Sequence, residues 1–89
     1  MKEIIEALEN IEKFAKGSAD VSKIEKTIQS ARASITKMHP GGAKLRQLEN
    51  ELSVWQTKLD VILKEPAGRE GMVKHAKHWV EELRRNSDG

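Results

Sequence analysis

Four segments of this 89-residue chain repeat apolar residues at alternating steps of three and four. The longest such stripe consists of Leu45, Leu48, Leu52, Trp55, Leu59 and Ile62. On a helix these steps place the side chains in one line, whereas on a strand they would be divided between both faces. The spacing predicts an amphipathic helix at about 43–64. Val54 and Val61 flank the stripe and Leu63 widens its last turn, so we expect this helix to be the central one.

The same spacing predicts three further helices at about 2–16, 20–38 and 69–85. Their stripes consist of Met1, Ile4, Leu8, Ile11 and Ala15; of Val21, Ile24, Ile28, Ala31, Ile35 and Met38; and of Met72, Ala76, Trp79 and Leu83. Together with the central helix they account for most of the chain. Strands are not predicted anywhere.

Turn and capping residues separate the four stripes. Gly17 follows a lysine-bearing last turn, which predicts a left-handed cap on the first helix. Ser18, Asp20 and Ser22 offer side-chain oxygens for the start of the second helix. The segments His39-Pro40-Gly41-Gly42 and Glu65-Pro66-Ala67-Gly68 predict the ends of the second and third helices, because a residue before proline avoids the helical region.

The predicted fold is all-α, a small up-down antiparallel bundle of four helices. Short connections make consecutive helices antiparallel, and stripes of this spacing pack at shallow crossing angles. Two alternatives stay open. In one, the first or last helix is short or packs across a three-helix core. In the other, the stripes find part of their contact on a second chain, as in a coiled coil. The length suits one domain, 1–89, with a frayed tail at 86–89.

Composition excludes several classes of protein. Hydrophobic residues make up 37% and charged residues 34%, with a net charge of +2, which is typical of a folded helical domain. The absence of cysteine excludes disulfides, thiolate catalysis and cysteine-bound zinc. The segment Met1 to Ile5 lacks the basic lead of a secretory signal, and no apolar run has the length of a membrane span. We therefore expect a cytoplasmic protein.

His75 and His78 are the residues that most resemble metal ligands. They are three apart on the last helix, and Glu82 follows His78 by four. A helical metal site needs further buried carboxylates from other helices, so we expect both histidines to be half-exposed. No serine or threonine has a recognisable base, and no glycine-rich phosphate loop follows a strand. We predict no catalytic residue, no metal and no cofactor.

The function that this pattern favours is non-enzymatic protein–protein interaction through an apolar helix face. Both tryptophans lie on stripes and predict core packing, with the alternative that one of them is buried and the other meets a partner. The candidate partner-binding residues are Ile5, Phe14, Val54, Val61 and Trp79. The partner is another protein or a second copy of the chain, as in a homodimer. An adaptor, a chaperone-like protein and a small inhibitor or immunity-type protein all fit this description.

The alternative function is that of a weak nucleic-acid-associated factor that uses the basic last helix. Its candidate surface consists of Arg69, Lys74, Lys77, Arg84 and Arg85. Glu81 lies four residues from both Lys77 and Arg85 and partly neutralises them. Sixteen basic residues against fourteen acidic ones is also a smaller excess than nucleic-acid binding usually requires. Nucleic acid is thus the less favoured partner.

Overall fold

The computed structural model describes residues 2–18, 20–38 and 42–87, and these residues form helices without strands. The helices, in chain order, are α1 (Lys2–Lys16), α2 (Val21–Lys37), α3 (Gly42–Thr57), α4 (Leu59–Lys64) and α5 (Pro66–Ser87). The predicted all-α class is confirmed. The predicted third helix is divided into α3 and α4, so the described residues contain five helices where the spacing predicted four.

α1 makes the most extensive helix–helix contacts, and its two neighbours are α5 and α2. It runs antiparallel to α5, because Ala15 near its end accepts hydrogen bonds from Arg69 near the start of α5. The first turn of α1 lies beside the last turns of α2, where Ser34 donates to Glu3 at 3.4 Å. The predicted central position of the third helix is therefore wrong, and α1 occupies it.

α3 and α5 are also antiparallel, and side chains link them at two levels. Lys44, near the start of α3, pairs with Glu82, late in α5. Glu51, further along α3, places its Oε1 2.8 Å from Nδ1 of His75, which lies earlier in α5. Together with the pairings of α1, this order makes the molecule an up-down bundle of α1, α2, α3 and α5, with α4 following α3.

The core contains apolar residues from all five helices. The buried residues are Ile4, Ala7, Leu8, Ile11, Ala15, Ile24, Ile28, Ala31, Ile35, Leu45, Leu48, Leu52, Trp55, Leu59, Leu63, Met72, Ala76, Val80 and Leu83. Most of them belong to the predicted stripes. In α5 one stripe residue differs, because Trp79 is only partly buried and its neighbour Val80 is buried.

The break between α3 and α4 lies at Lys58, whose φ of −110° and ψ of 20° depart from helical values. Just before it, the Thr57 hydroxyl donates to the Ser53 carbonyl oxygen at 2.9 Å, an interaction that bends helices. Beyond the break, the predicted stripe residue Ile62 is half-buried and the neighbouring Leu63 is buried.

The connection between α1 and α2 differs from its prediction at one residue. Asp20 is the N-cap of α2 and accepts a hydrogen bond from the Lys23 amide at 3.2 Å, as its side chain predicted. The predicted left-handed cap at Gly17 is wrong. Gly17 lacks a positive φ, and its N–H continues the helical pattern by donating to the Lys13 carbonyl oxygen at 3.0 Å.

Pro66 begins α5 as well as ending α4. Glu65 takes the extended conformation expected of a residue before proline, with ψ of 132°. Proline then fits the first helical position, where its missing N–H would have no helical partner in any case. The last helix therefore starts three residues before its predicted start at 69 and continues to Ser87.

Some predictions lie outside the described residues. These are Met1 of the first stripe, the turn residues His39, Pro40 and Gly41, and the tail residues Asp88 and Gly89. Among the helices that the structure describes, none combines the length and the apolar character that a bilayer crossing requires.

Candidate partner-binding groove

The five apolar candidates do not form one patch. Val54 and Val61 are exposed, with 52% and 64% of their surface accessible. Ile5, Phe14 and Trp79 are partly buried and pack against the core. Of the five candidates, therefore, the exposed ones are two valines seven residues apart, one on α3 and one on α4.

The two partly buried aromatic candidates have charged or polar neighbours. The Lys23 ammonium lies 6.0 Å from the centre of the Phe14 ring, at the outer limit of a cation–π contact. The Trp79 ring meets the His78 ring edge to face, with centroids 6.4 Å apart. Trp55 is buried, with 6% of its surface accessible, so one tryptophan belongs to the core and the other lies at its boundary.

The five basic candidates of α5 are not equivalent. The Arg69 guanidinium donates to carbonyl oxygens at the end of α1, and Arg84 pairs with Glu9 at 2.7 Å. Lys74, Lys77 and Arg85 are exposed. Two of the five cations are thus bound to groups of α1, which leaves a smaller basic surface than the sequence predicted.

Both histidines of α5 are exposed and lie near carboxylates. His75 Nδ1 is 2.8 Å from Glu51 Oε1 on α3, and His78 Nε2 is 3.9 Å from Glu82 Oε1. Within residues 2–18, 20–38 and 42–87, no three His, Asp or Glu side chains come together as a possible metal site. His75 links α5 to α3, whereas the contact of His78 with Glu82 lies within α5.

A groove of about 410 Å³ runs between the end of α1 and the first half of α5. Its lining consists of Ala15, Lys16, Pro66, Arg69, Glu70, Val73 and Lys74. The volume lies within the range of about 300–1,000 Å³ that is usual for binding clefts. Apolar groups of Ala15, Pro66 and Val73 line this α1–α5 groove, and charged side chains surround them.

Arg69 holds the two walls of the α1–α5 groove together. Its Nε and one terminal nitrogen donate to the Ala15 carbonyl oxygen at 3.3 and 3.0 Å, and that terminal nitrogen also donates to Gly17 at 3.2 Å. The last carbonyls of a helix have no partners within it, so a guanidinium satisfies them well. This contact explains why Gly17 does not need to reverse the chain to cap α1.

The charges around the α1–α5 groove are mostly positive. Lys16 pairs with Glu12 at 3.2 Å across one helical turn, yet its side chain is 61% exposed. Lys74 is exposed and makes no ion pair within the described part of the chain. Glu70 is the acidic residue in the lining. Two exposed lysines therefore border an apolar surface.

A polar cluster lies between α2 and α3. Arg32 donates to Glu49 Oε1 at 3.0 Å and to Gln56 Oε1 at 2.7 Å, from a partly buried position. Glu49 Oε2 is buried and has no hydrogen-bond partner among the residues that the structure describes. This cluster fixes α2 relative to α3 by directional bonds. It lacks the apolar lining of the α1–α5 groove.

The Lys44–Glu82 pair changes the ionisation of Glu82. A hydrogen bond from the Lys44 ammonium, followed by the attraction of its charge, lowers the pKa of Glu82, and Arg85 and His78 lower it further. A carboxyl whose pKa is lower in the folded chain stabilises the fold above its unfolded pKa. This stabilisation is lost as the pH falls through the folded pKa.

We expect Lys44→Met to reduce the free energy of unfolding at neutral pH and to have progressively less effect in acid. Protonation of Glu82 removes the attraction that the substitution would otherwise delete. Urea denaturation at several pH values measures this difference, with Lys37→Met, at an exposed lysine of α2, as the control. A Lys44→Met effect that is equal at all pH values would show that the ion pair contributes no stability.

Sequence reasoning found some residues of the α1–α5 groove but not the groove itself. Arg69 and Lys74 belonged to the predicted basic surface, and Ala15 belonged to the first stripe. Pro66 was predicted to end a helix. The signal that could have joined them is the pairing of the first and last helices, since short antiparallel connections place these two side by side in a four-helix bundle.

Comparison of the chain with protein-family models, with curated proteins and with solved structures found no match.

Proposed function

We propose that this chain is a non-enzymatic protein–protein interaction module that binds a partner protein in the α1–α5 groove. The observation that carries the proposal is the groove itself, a concave surface with an apolar lining and a charged margin. Interfaces combine an apolar centre with a polar rim in the same way. An adaptor, a chaperone-like protein and a small inhibitor or immunity-type protein would each act by such binding.

The rigidity of the groove supports this proposal. Ala15 is buried in the core, and Arg69 ties its carbonyl to α5, so the walls are held before a partner arrives. A preformed surface loses less conformational entropy on binding than a flexible one. Val54 and Val61 do not line this groove. Singly exposed apolar side chains are common on protein surfaces, so these two valines are weaker evidence for a binding site.

The proposal predicts that substitutions at Val73 remove a partner that substitutions at Val54 leave bound. Val73 lines the groove, whereas Val54 is exposed on α3, so Val73→Asp and Val54→Asp form a matched pair. Each purified variant is immobilised and exposed to an extract of the native source. Captured proteins are then identified by mass spectrometry. We expect wild type and Val54→Asp to retain the same partner and Val73→Asp to lose it.

Val73 also packs against the core, so folding of each variant is checked by thermal melting. If Val73→Asp fails to fold, Val73→Ala replaces it and should weaken capture. A partner lost by Val54→Asp but kept by both Val73 variants would overturn the proposal and assign binding to the valine face. Light scattering tests for a second copy as the occupant, which would appear as a dimer that Val73→Ala weakens.

A further inference from the structure

We infer that the α1–α5 groove recognises a short acidic and apolar segment of its partner. This inference rests on the proposed function and adds the chemistry of the bound segment. Apolar side chains of the segment would contact Pro66 and Val73. Its carboxylates would pair with Lys16 on one side and Lys74 on the other.

The accessible apolar part of the α1–α5 groove belongs to α5. Pro66 is exposed and Val73 is half-buried, and they lie seven residues apart, about two helical turns, whereas Ala15 of α1 is only 1% accessible. Covering such a surface removes apolar area from water, which favours association. A purely polar or highly charged ligand would leave this surface without a complementary contact.

The charged residues of the groove indicate the sign of the charge that the bound segment should carry. Lys16, Arg69 and Lys74 contribute three cations to the lining, against the single carboxylate of Glu70. Arg69 donates to the carbonyl oxygens of Ala15 and Gly17, so a ligand would meet the two exposed lysines, of which Lys16 would exchange its pairing with Glu12 for the ligand. Their long side chains can reach carboxylates at the groove margin. Complementary charge of this kind selects partners more than it raises affinity.

The dimensions favour a segment of about two helical turns. The lining residues of α5 extend from Pro66 to Lys74, roughly 12 Å at 1.5 Å per residue. An amphipathic helix placed along the groove would present apolar side chains three and four residues apart to its floor. Carboxylates on the flanks of that helix would then lie near the two lysines.

The test uses a fluorescein-labelled synthetic peptide of about twelve residues, with leucines at helical spacing and glutamates on the flanks. Two matched peptides carry glutamine or lysine in place of the glutamates. Fluorescence anisotropy with the full chain measures the three Kd values at one salt concentration. We expect the glutamate peptide to bind about tenfold or more tightly than the glutamine peptide, and the lysine peptide to bind least.

Charge-reversal variants locate the binding site. Lys16→Glu combined with Lys74→Glu should weaken binding of the glutamate peptide by about tenfold or more and should strengthen binding of the lysine peptide. Lys26→Glu combined with Lys37→Glu, at two exposed lysines of α2, makes the same change in net charge and should have little effect. Lys16→Gln combined with Lys74→Gln gives an intermediate loss and serves if the reversed variant melts early.

Equal affinity for the three peptides, or no binding of any of them, would overturn the inference. So would a labelled DNA duplex that binds more tightly than the glutamate peptide and is released by the Lys16 and Lys74 reversal. The proposed function is judged separately by partner capture. A native partner that Val73→Asp loses and the double reversal retains would contradict the acidic segment and leave the groove as the docking site.

Discussion

Replacing Leu52 with alanine should lower the free energy of unfolding by about 2–5 kcal/mol, the usual cost of truncating a buried leucine. Leu52 lies on α3 with none of its surface accessible, in a core to which all five helices contribute. Removing its isobutyl group deletes apolar contacts and leaves a cavity that the surrounding helices fill only in part. A domain of this size has a total stability of only about 5–15 kcal/mol, so the loss is a large fraction.

Urea denaturation followed by far-UV circular dichroism measures this loss. Val54→Ala is the matched control, because Val54 lies two residues further along α3 and is 52% exposed. We expect its effect to stay within about 0.5 kcal/mol of zero. If both substitutions changed stability equally, Leu52 would not be a core residue, and the assignment of the buried face of α3 would be wrong.

The helical stripes could be predicted because their period is a local property of the chain. Steps of three and four return to one side of a helix whatever lies next to it. This reasoning identified most of the core of α3 and α4, with Leu63 as an apolar residue of the last turn, but it placed Ile62 on the stripe. A residue three or four positions after Leu59 returns to the same side of the helix, and contacts of α4 with α5 and α2, which a stripe does not contain, decide that Leu63 is the buried one.

The α1–α5 groove could not be predicted because it depends on atoms distant in sequence. Arg69 lies 54 residues from Ala15, and only the fold brings its guanidinium to that carbonyl. The sequence alone predicts that Arg69 belongs to the basic surface of the last helix. The structure gives it a second role, in which it caps α1 and sets the separation of two groove walls. A charge count alone does not distinguish these roles.

The connection between α4 and α5 links the fold to the α1–α5 groove. Pro66 is both the first residue of α5 and part of the lining, and Arg69 follows within one turn. The start of α5 must therefore lie at a fixed position relative to α1. Gly68, between these two residues, packs closely against the backbone of α4 at Ile62.

Replacing Gly68 with alanine should destabilise the chain by about 1–3 kcal/mol, the range observed when extra atoms are forced into a packed site. A Cβ at this position would overlap the Ile62 carbonyl oxygen and lie 3.1 Å from its carbonyl carbon. Both are backbone atoms, so no side-chain rotation relieves the clash. The first turn of α5 would have to move away from α4, which would displace Pro66 and Arg69 from the groove as well.

Gly71→Ala is the matched control, since it makes the same chemical change one turn later on α5. A Cβ there meets no atom within 4 Å, and alanine favours a helix over glycine by about 1 kcal/mol. We therefore expect Gly71→Ala to raise stability and Gly68→Ala to lower it, in parallel urea denaturation curves. Two substitutions that both stabilised the chain would show that α5 does not press against Ile62, and the placement of the groove wall by this contact would be incorrect.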